Sequence, residues 1–335
     1  MSTNQGYFRQ PTIHGDRIVF VCEDDLWEVP VEGGVARRLT AGAGRCAFPR
    51  LSPDGSRMAY LGRADGPMEV YVADGRGGSP RRLTWTGTFA VPVAWSPDGE
   101  WVYFASNLEQ PFMGAMRIHR VAAGGGHPEP VPCGLAHAIA FEPGGSGVVL
   151  GRNTGDPARW KRYRGGTAGK LWIDRKGDGE FRPLIQLDGN LAGPMWIGTR
   201  IYFLSDHEGH GNLYSCTPTG RGLRRHTHHD DFYVRFPSSD GKRIVYHAGA
   251  DLLLFETESG ETRELEVVLF SPRRDRDRKF VGVTQHLEGA DLHPAGHSLA
   301  VVARGALSTF GLWEGVPRRH DSGSAERVRL ARWMP

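Results

Sequence analysis

A short phrase recurs along the chain: a turn of the form Ser-Pro-Asp-Gly followed at once by an apolar run. The copies read HGDRIVFV at Gly15, SPDGSRMAYL at Gly55, SPDGEWVYFA at Gly99, EPGGSGVVLG at Gly145, IGTRIYFLS at Gly198, SSDGKRIVYH at Gly241 and HPAGHSLAVV at Gly296. These glycines are spaced 40, 44, 46, 53, 43 and 55 residues apart. A period of roughly 40 to 50 residues points to a propeller or another repeat architecture. Proline presets the first turn dihedral and Asp-Gly supplies a residue that tolerates positive φ, so each phrase reverses the chain between two strands.

Every unit carries more than its turn. A third strand follows, as DLWEVP (Asp25 to Pro30), MEVYVAD (Met68 to Asp74), RIHRVA (Arg117 to Ala122), KLWID (Lys170 to Asp174), NLYSCT (Asn212 to Thr217) and DLLLFET (Asp251 to Thr257). A Gly-rich turn then leads to a fourth strand, seen in ARRLT at Ala36, PRRLT at Pro80 and LRRHT at Leu223. Four short strands per unit make the blade of a β-propeller. One such sheet cannot bury both of its faces alone, so each must lean on the next. The expected fold is all-β: a six-bladed β-propeller of four-stranded antiparallel blades, plus one extra blade-like unit at the C-terminus.

The boundary is read from charge. After six units comes SPRRDRDRKF (Ser271 to Phe280), with no apolar alternation. The expected domains are residues 1–269 for the propeller, 270–281 for a charged linker, and 282–335 for a further blade. The end, ERVRLARWMP (Glu326 to Pro335), reads as another inner strand that stops where its turn is due. An unfinished repeat leaves strand edges unpaired, so the natural chain is expected to continue. The alternative is that unit seven inserts into the ring.

Composition narrows the function. The 335 residues contain 46 Gly and 22 Pro, as a turn-rich chain requires. A formal net charge of +3 is too small for a nucleic-acid footprint. The start, MSTNQGYFRQ, is polar, and no run reaches the roughly 18 apolar residues of a membrane span. Cys22, Cys46, Cys133 and Cys216 are far apart in sequence and read as reduced packing residues of a cytoplasmic protein.

The wording of the units resembles the N-terminal part of the tricorn protease family. The stretches that carry the resemblance are HGDRIVFVCEDDLWEVP at His14, WSPDGEWVYFASNLEQPF at Trp95, GRNTGDPARWKRYRGGTAGKLWID at Gly151, GTRIYFLSDHEGHGNLYS at Gly198 and LRRHTHHDDFYVRFPSSDGKRI at Leu223. The phrase from Arg152 to Ile173 is specific, whereas a bare SPDG also occurs in TolB-like and peptidase propellers. The resemblance implies a six-bladed propeller followed by a seven-bladed one, then a helical segment, a PDZ-like domain and catalytic domains. It implies the non-catalytic front end of a serine peptidase that trims short peptides downstream of the proteasome, in hexamers, with the first propeller as a channel. Its partners would be the remaining domains, other subunits and short peptides. The family's catalytic residues match no position here, so no activity is expected of this chain alone. A free-standing TolB-like propeller that binds a protein or peptide is the alternative.

The resemblance implies a paired arginine, in the loop before the third blade's inner strand, that anchors the substrate carboxy-terminus. The corresponding stretch, Thr84 to Trp95, has no arginine. Arg81 and Arg82 lie nearby, within the fourth-strand phrase, and are candidates to replace it. The insertion ARWKRYRGGTAGK interleaves Trp160 and Tyr163 with Arg159, Lys161, Arg162 and Arg164. Basic and aromatic groups together can grip a peptide carboxylate or nucleic acid, or pack at an interface with their stems over apolar surface. HTHHDD (His226 to Asp231) has the composition of a metal cluster, but nothing fixes a fourth ligand. DHEGHG (Asp206 to Gly211) reads as a hairpin loop. DRKGDGEF (Asp174 to Phe181) lacks the ligands of a calcium loop. AAGGGHPEP (Ala122 to Pro130) lacks the Lys-Ser/Thr of a phosphate cradle. No cofactor or metal is expected.

Overall fold

Six strand-turn-strand units of the first 272 residues form six separate four-stranded antiparallel sheets, each in simple sequence order. The structure is a computed structural model, described for residues 6–41, 44–273, 282–320 and 327–334. Among the described residues the only helical turns are two short 3-10 segments, Pro157–Trp160 and Val283–Gln285. In the first blade the strands are Arg9–His14, Arg17–Cys22, Asp25–Pro30 and Arg37–Arg38. The first strands of the next five blades are Ala47–Leu51, Ala90–Trp95, Ala138–Phe141, Leu191–Ile197 and Arg235–Ser239. Each first strand neighbours the next, and Arg235–Ser239 returns to Arg9–His14, which closes the ring.

The apolar run after each turn is explained by what its strand touches. Successive side chains of a strand point to opposite faces, and the second strand of each blade lies between two neighbours. Thus Ile18 and Phe20 pack against Val245, Leu252 and Leu254 of blade six, while Val19 and Val21 pack against Met58 and Tyr60 of blade two. Corresponding clusters fill the other four seams, for example Val72 with Phe104, Ala105 with Leu150, Val149 with Phe203, and Leu204 with Tyr246. Burying one such side chain contributes about 1.5–3 kcal/mol, so a blade removed from the ring loses both of its cores.

Ring closure adds backbone bonds. Val267–Val268 pairs in parallel with Gly34–Val35, in the turn before blade one's last strand. Phe8 N donates to the carbonyl of Ala250 at 3.0 Å. The chain ends of the ring are therefore fastened without exchanging a strand between blades one and six.

The repeated phrases also have side-chain reasons. In the turn at Gly55 (φ +68°), Ser52 and Ser56 hydroxyls donate to Asp54 at 2.6 Å each, and Arg57 N donates to Ser52 Oγ at 2.9 Å. These bonds hold the Asp54 carboxyl well below the usual range. The threonine of the RRLT phrase caps the third strand: Thr40, Thr84 and Thr227 donate to Asp25, Glu69 and Asn212 at 2.8, 2.6 and 2.8 Å. Each threonine oxygen accepts the next residue's N–H, from Leu26, Val70 and Leu213.

Fourth strands at Glu129–Leu135, Arg182–Pro183 and Thr262–Glu264 lack the RR-x-T phrase and carry no local signal of their own. Compact units divide at Pro272 and Arg273. Of the charged segment expected at 270–281, residues 274–281 lie outside the described residues. The second unit holds one four-stranded sheet, from Leu287–Leu292 to Arg318–Arg319. Residues 327–334, expected to start an inner strand, form no ladder. They are held instead by single bonds, such as Trp333 Nε1 to the carbonyl of Asp291 at 3.0 Å.

Candidate functional site: the axial cavity

Five of the six first strands carry a proline, in Gln10-Pro11, Phe48-Pro49, Val91-Pro92, Gly193-Pro194 and Phe236-Pro237; the strand Ala138–Phe141 has none. Proline lacks an N–H and is tolerated on an edge strand or at a bulge, and these strands are the inner edges of their sheets. At four of the five, the register slips and the residue before proline is left-handed: Gln10, Phe48, Gly193 and Phe236, with φ between +48° and +59°. A non-glycine residue held there costs of order 1–3 kcal/mol. Bulges bend a strand and re-aim its side chains. Here the rings of Phe48 and Phe236 meet edge-on at 5.5 Å, and Gln10 Oε1 accepts the N–H of Phe48 at 3.0 Å.

The ring encloses a cavity of about 1200 Å³, to which every first strand contributes: Thr12, Arg50, Val93, Ile139, Met195 and Pro237 are one residue from each. Much of the remaining wall is apolar, with Phe89, Phe112 and Phe141 among it. Its carboxylates are all engaged. Asp156 meets Arg235 through Oδ1 and Nε at 3.2 Å, and Asp240 meets Arg243 at 2.6 Å. Glu142 Oε2 accepts the N–H of Gly147 at 3.1 Å. Among the described residues, Arg50, Arg159 and Lys242 line the cavity without an ion-pair partner.

The insertion of blade four contributes to this wall. Asp156 caps the turn Pro157–Trp160 by accepting Ala158 N at 3.1 Å, while Arg235 of blade six holds the same carboxylate. Buried Asp206 of blade five accepts the N–H groups of Arg162 and Asn190, both at 2.7 Å. Asn190 Nδ2 donates to the carbonyl of Trp160 at 3.1 Å. The insertion of blade four is thereby fastened to blades five and six. Arg159, Trp160 and Tyr163 line the cavity, with the two rings 5.4 Å apart.

The other sequence candidates lie in different surroundings. Lys161 Nζ sits 5.0 Å from the centre of the Tyr233 ring. Arg164 pairs with Asp188 at 2.9 Å. Arg162 is exposed, with a left-handed backbone. Arg81 and Arg82 form the outermost strand of blade two. Arg81 donates to the carbonyls of Ala123 and Gly124 at 2.5 and 2.6 Å, and Arg82 meets buried Glu69 at 3.3 Å. The structure thus brings Arg159 to the cavity, while Arg81 and Arg82 serve a blade seam and a buried ion pair.

The histidine-rich stretch is bonded within the blades. His226 Nε2 meets Ser215 Oγ at 2.7 Å and His229 Nε2 meets Tyr246 OH at 3.0 Å. Burial pushes His226 down to about 4. No group of three or more His, Cys, Asp or Glu among the described residues is arranged to hold a metal ion. Asp174 accepts the N–H groups of Lys176, Gly177 and Gly179, as a turn requires.

Arg50 and the pre-proline bulges escaped the sequence reading. The signal was present in the repeated X-Pro of the inner strands, which marks where side chains turn toward the axis.

These features define a six-bladed β-propeller with an axial cavity and an insertion at its rim. The model of the tricorn protease N-terminal β-propeller domain matches residues 5–261, and the chain belongs to that family. It is 39% identical over 330 residues to tricorn protease homolog 1 of Streptomyces coelicolor, covering 97% of this chain and 31% of that one. It is 34% identical over 276 residues to the tricorn protease of Thermoplasma acidophilum, covering 79% and 25%. A crystal structure of the tricorn protease superposes with a TM-score of 0.84 at 30% identity, over 97% of this chain and 32% of that one. The chain thus spans a quarter to a third of the length of these relatives. No helix among the described residues is long and apolar enough to cross a membrane.

Proposed function

We propose that residues 1–269 are the non-catalytic N-terminal propeller of a tricorn-type serine peptidase that degrades short peptides downstream of the proteasome in the cytoplasm. The ring serves as a passage for peptides and as a scaffold for the peptidase's remaining domains and its other subunits. Residues 282–335 are the opening of a following propeller, reached through the charged linker 270–281. One observation carries the reading: the cavity of about 1200 Å³ is lined by all six inner strands. That exceeds the ~300–1,000 Å³ of ordinary small-ligand sites. An apolar wall with few free charges suits peptides of varied sequence, and Arg159 with Trp160 and Tyr163 supplies a basic and aromatic rim. The scaffold part is supported by the partial span of the chain within its relatives.

The test is to narrow the passage. In a full-length peptidase carrying this propeller, Ala94→Trp places an indole on the cavity wall. The expected result is slower turnover of peptides with unchanged assembly; unchanged turnover contradicts the passage. The 335-residue chain alone is expected to leave fluorogenic peptides intact.

A further inference from the structure

Of the two guanidiniums in the cavity wall that lack a counter-charge, Arg159 is exposed and Arg50 is not. Arg50 lies on the first strand of blade two, half-buried and lining the cavity. Its Nε donates to the carbonyl of Val93 at 3.2 Å and its Nη1 to that of Pro49 at 3.3 Å. A guanidinium has five N–H donors in a fixed planar fork, so three remain, including both on Nη2. The carboxylates of the wall are already engaged, Asp156 and Asp240 by arginines and Glu142 by a backbone N–H. No ion pair to Arg50 exists among the described residues. Burial alone, with no opposing charge, pulls this guanidinium down to about 10.

A desolvated charge is costly unless a group of opposite sign meets it. The surroundings of Arg50 in the wall include Phe48, Leu51, Val93 and Trp95, the last of which donates its indole N–H to the Arg50 carbonyl at 2.9 Å. Such a setting weakens screening and strengthens any contact with an anion. The free donors form a flat fork that matches a carboxylate.

We infer that Arg50 is an anion-binding point inside the ring and takes the carboxylate of a short peptide lodged in the cavity. The carboxylate is a peptide's C-terminus or an acidic side chain. This rests on the passage proposed above. Arg50 thereby favours peptides that present a negative charge over those that do not.

The test uses the 335-residue chain and three probes: acetyl-trialanine acid, acetyl-trialanine amide, and acetyl-Ala-Glu-Ala amide. Affinity is read by isothermal titration, and position by the NMR methyl signals of Ile13 and Ile139, both on the cavity wall. The acid is expected to bind about tenfold more tightly than the plain amide. Arg50→Met removes that preference, Arg50→Lys keeps part of it, and Arg182→Met on an exposed outer strand leaves it intact. If the Glu-containing amide binds like the acid, side-chain carboxylates are accepted; if it binds like the plain amide, the site reads C-termini. Equal affinities for acid and both amides, with Ile13 and Ile139 shifted, overturn the Arg50 inference and leave the passage standing. No shift with any probe overturns both. The comparison of probes on the unaltered chain needs no variant to fold.

Discussion

Arg57 Nη2 donates to the carbonyl of Gly99, 2.6 Å away in the turn of the next blade. The same position repeats the bond elsewhere: Arg17 reaches the carbonyls of Gly55 and Gly75, and Arg243 reaches that of Gly15. Each arginine stands two residues after a turn glycine and reaches the turn glycine of the following blade. The seams between blades six and one, one and two, and two and three are fastened in this way. The equivalent residues of blades three, four and five are Trp101, Gly147 and Arg200, and Arg200 bonds within its own blade, to the carbonyl of Gly222 at 2.6 Å.

Arg57→Met is therefore expected to cost about 1–2 kcal/mol, between an ordinary hydrogen bond and a buried one to a charged group. Thermal unfolding should show a midpoint lowered by about 2–8 °C. Arg182→Met, on the exposed edge of blade four, should move it little. Equal effects of the two would mean that the inter-blade bond contributes nothing.

The blades were legible because their signals are local. A turn such as Pro53-Asp54-Gly55 and an apolar run such as Met58 to Leu61 announce themselves within ten residues. The fourth strands of blades three, four and six were not legible. They are edge strands, two to seven residues long and largely exposed, so little selects their residue types. The cavity was harder still. Arg50 and Phe236 come to one wall because the ring closes, and that relation joins residues far apart in sequence. Arg82 meets Glu69 and Arg81 reaches blade three, contacts that join residues 13 and 42–43 positions apart.

Glu69 is fully buried and accepts bonds from Thr84, Thr86, Gly87 N and Arg82. Glu69→Ala leaves those donors and a largely buried arginine without a partner. The expected loss is about 3–5 kcal/mol, read by urea unfolding. Glu69→Gln keeps acceptors in place and should cost less. A smaller loss for alanine than for glutamine would exclude this role.

His247 is buried, stacks on Phe236 with rings parallel to within 1°, and has no hydrogen-bond partner on either ring nitrogen. Burial, aided by the charges of Arg235 and Arg9 and opposed by the backbone of Gly249 and by Asp156, pushes it down to about 4. The unfolded chain, with an ordinary histidine near 6.5, then binds the proton more readily between pH 6.5 and 4. Stability from this group is complete above about pH 6.5 and falls as the pH drops toward 4. His247→Phe should reduce the loss of stability between pH 7 and pH 4.5. An unchanged loss would show that His247 is not responsible.

Gly33 and Gly34 separate strain from closure. Both have positive φ, +92° and +106°. A Cβ on Gly33 would lie 2.7 Å from the Glu266 carbonyl oxygen, which accepts the N–H of Gly34; a Cβ on Gly34 meets nothing within 4 Å. Gly34→Ala should cost about 1–3 kcal/mol from backbone strain alone. Gly33→Ala should cost more, because it also pushes the closing strand away. Equal costs by chemical denaturation would show that the parallel pair does not hold the ring.

Ring closure is tested most directly by the distance between spin labels at Val35 and Glu266, both exposed and on opposite sides of the closing pair. Paired strands are about 5 Å apart. A closed ring gives one narrow distance peak, set by that spacing and the two label arms. A broad distribution reaching far beyond it would mean that blades one and six do not meet, and that the six sheets do not enclose a cavity.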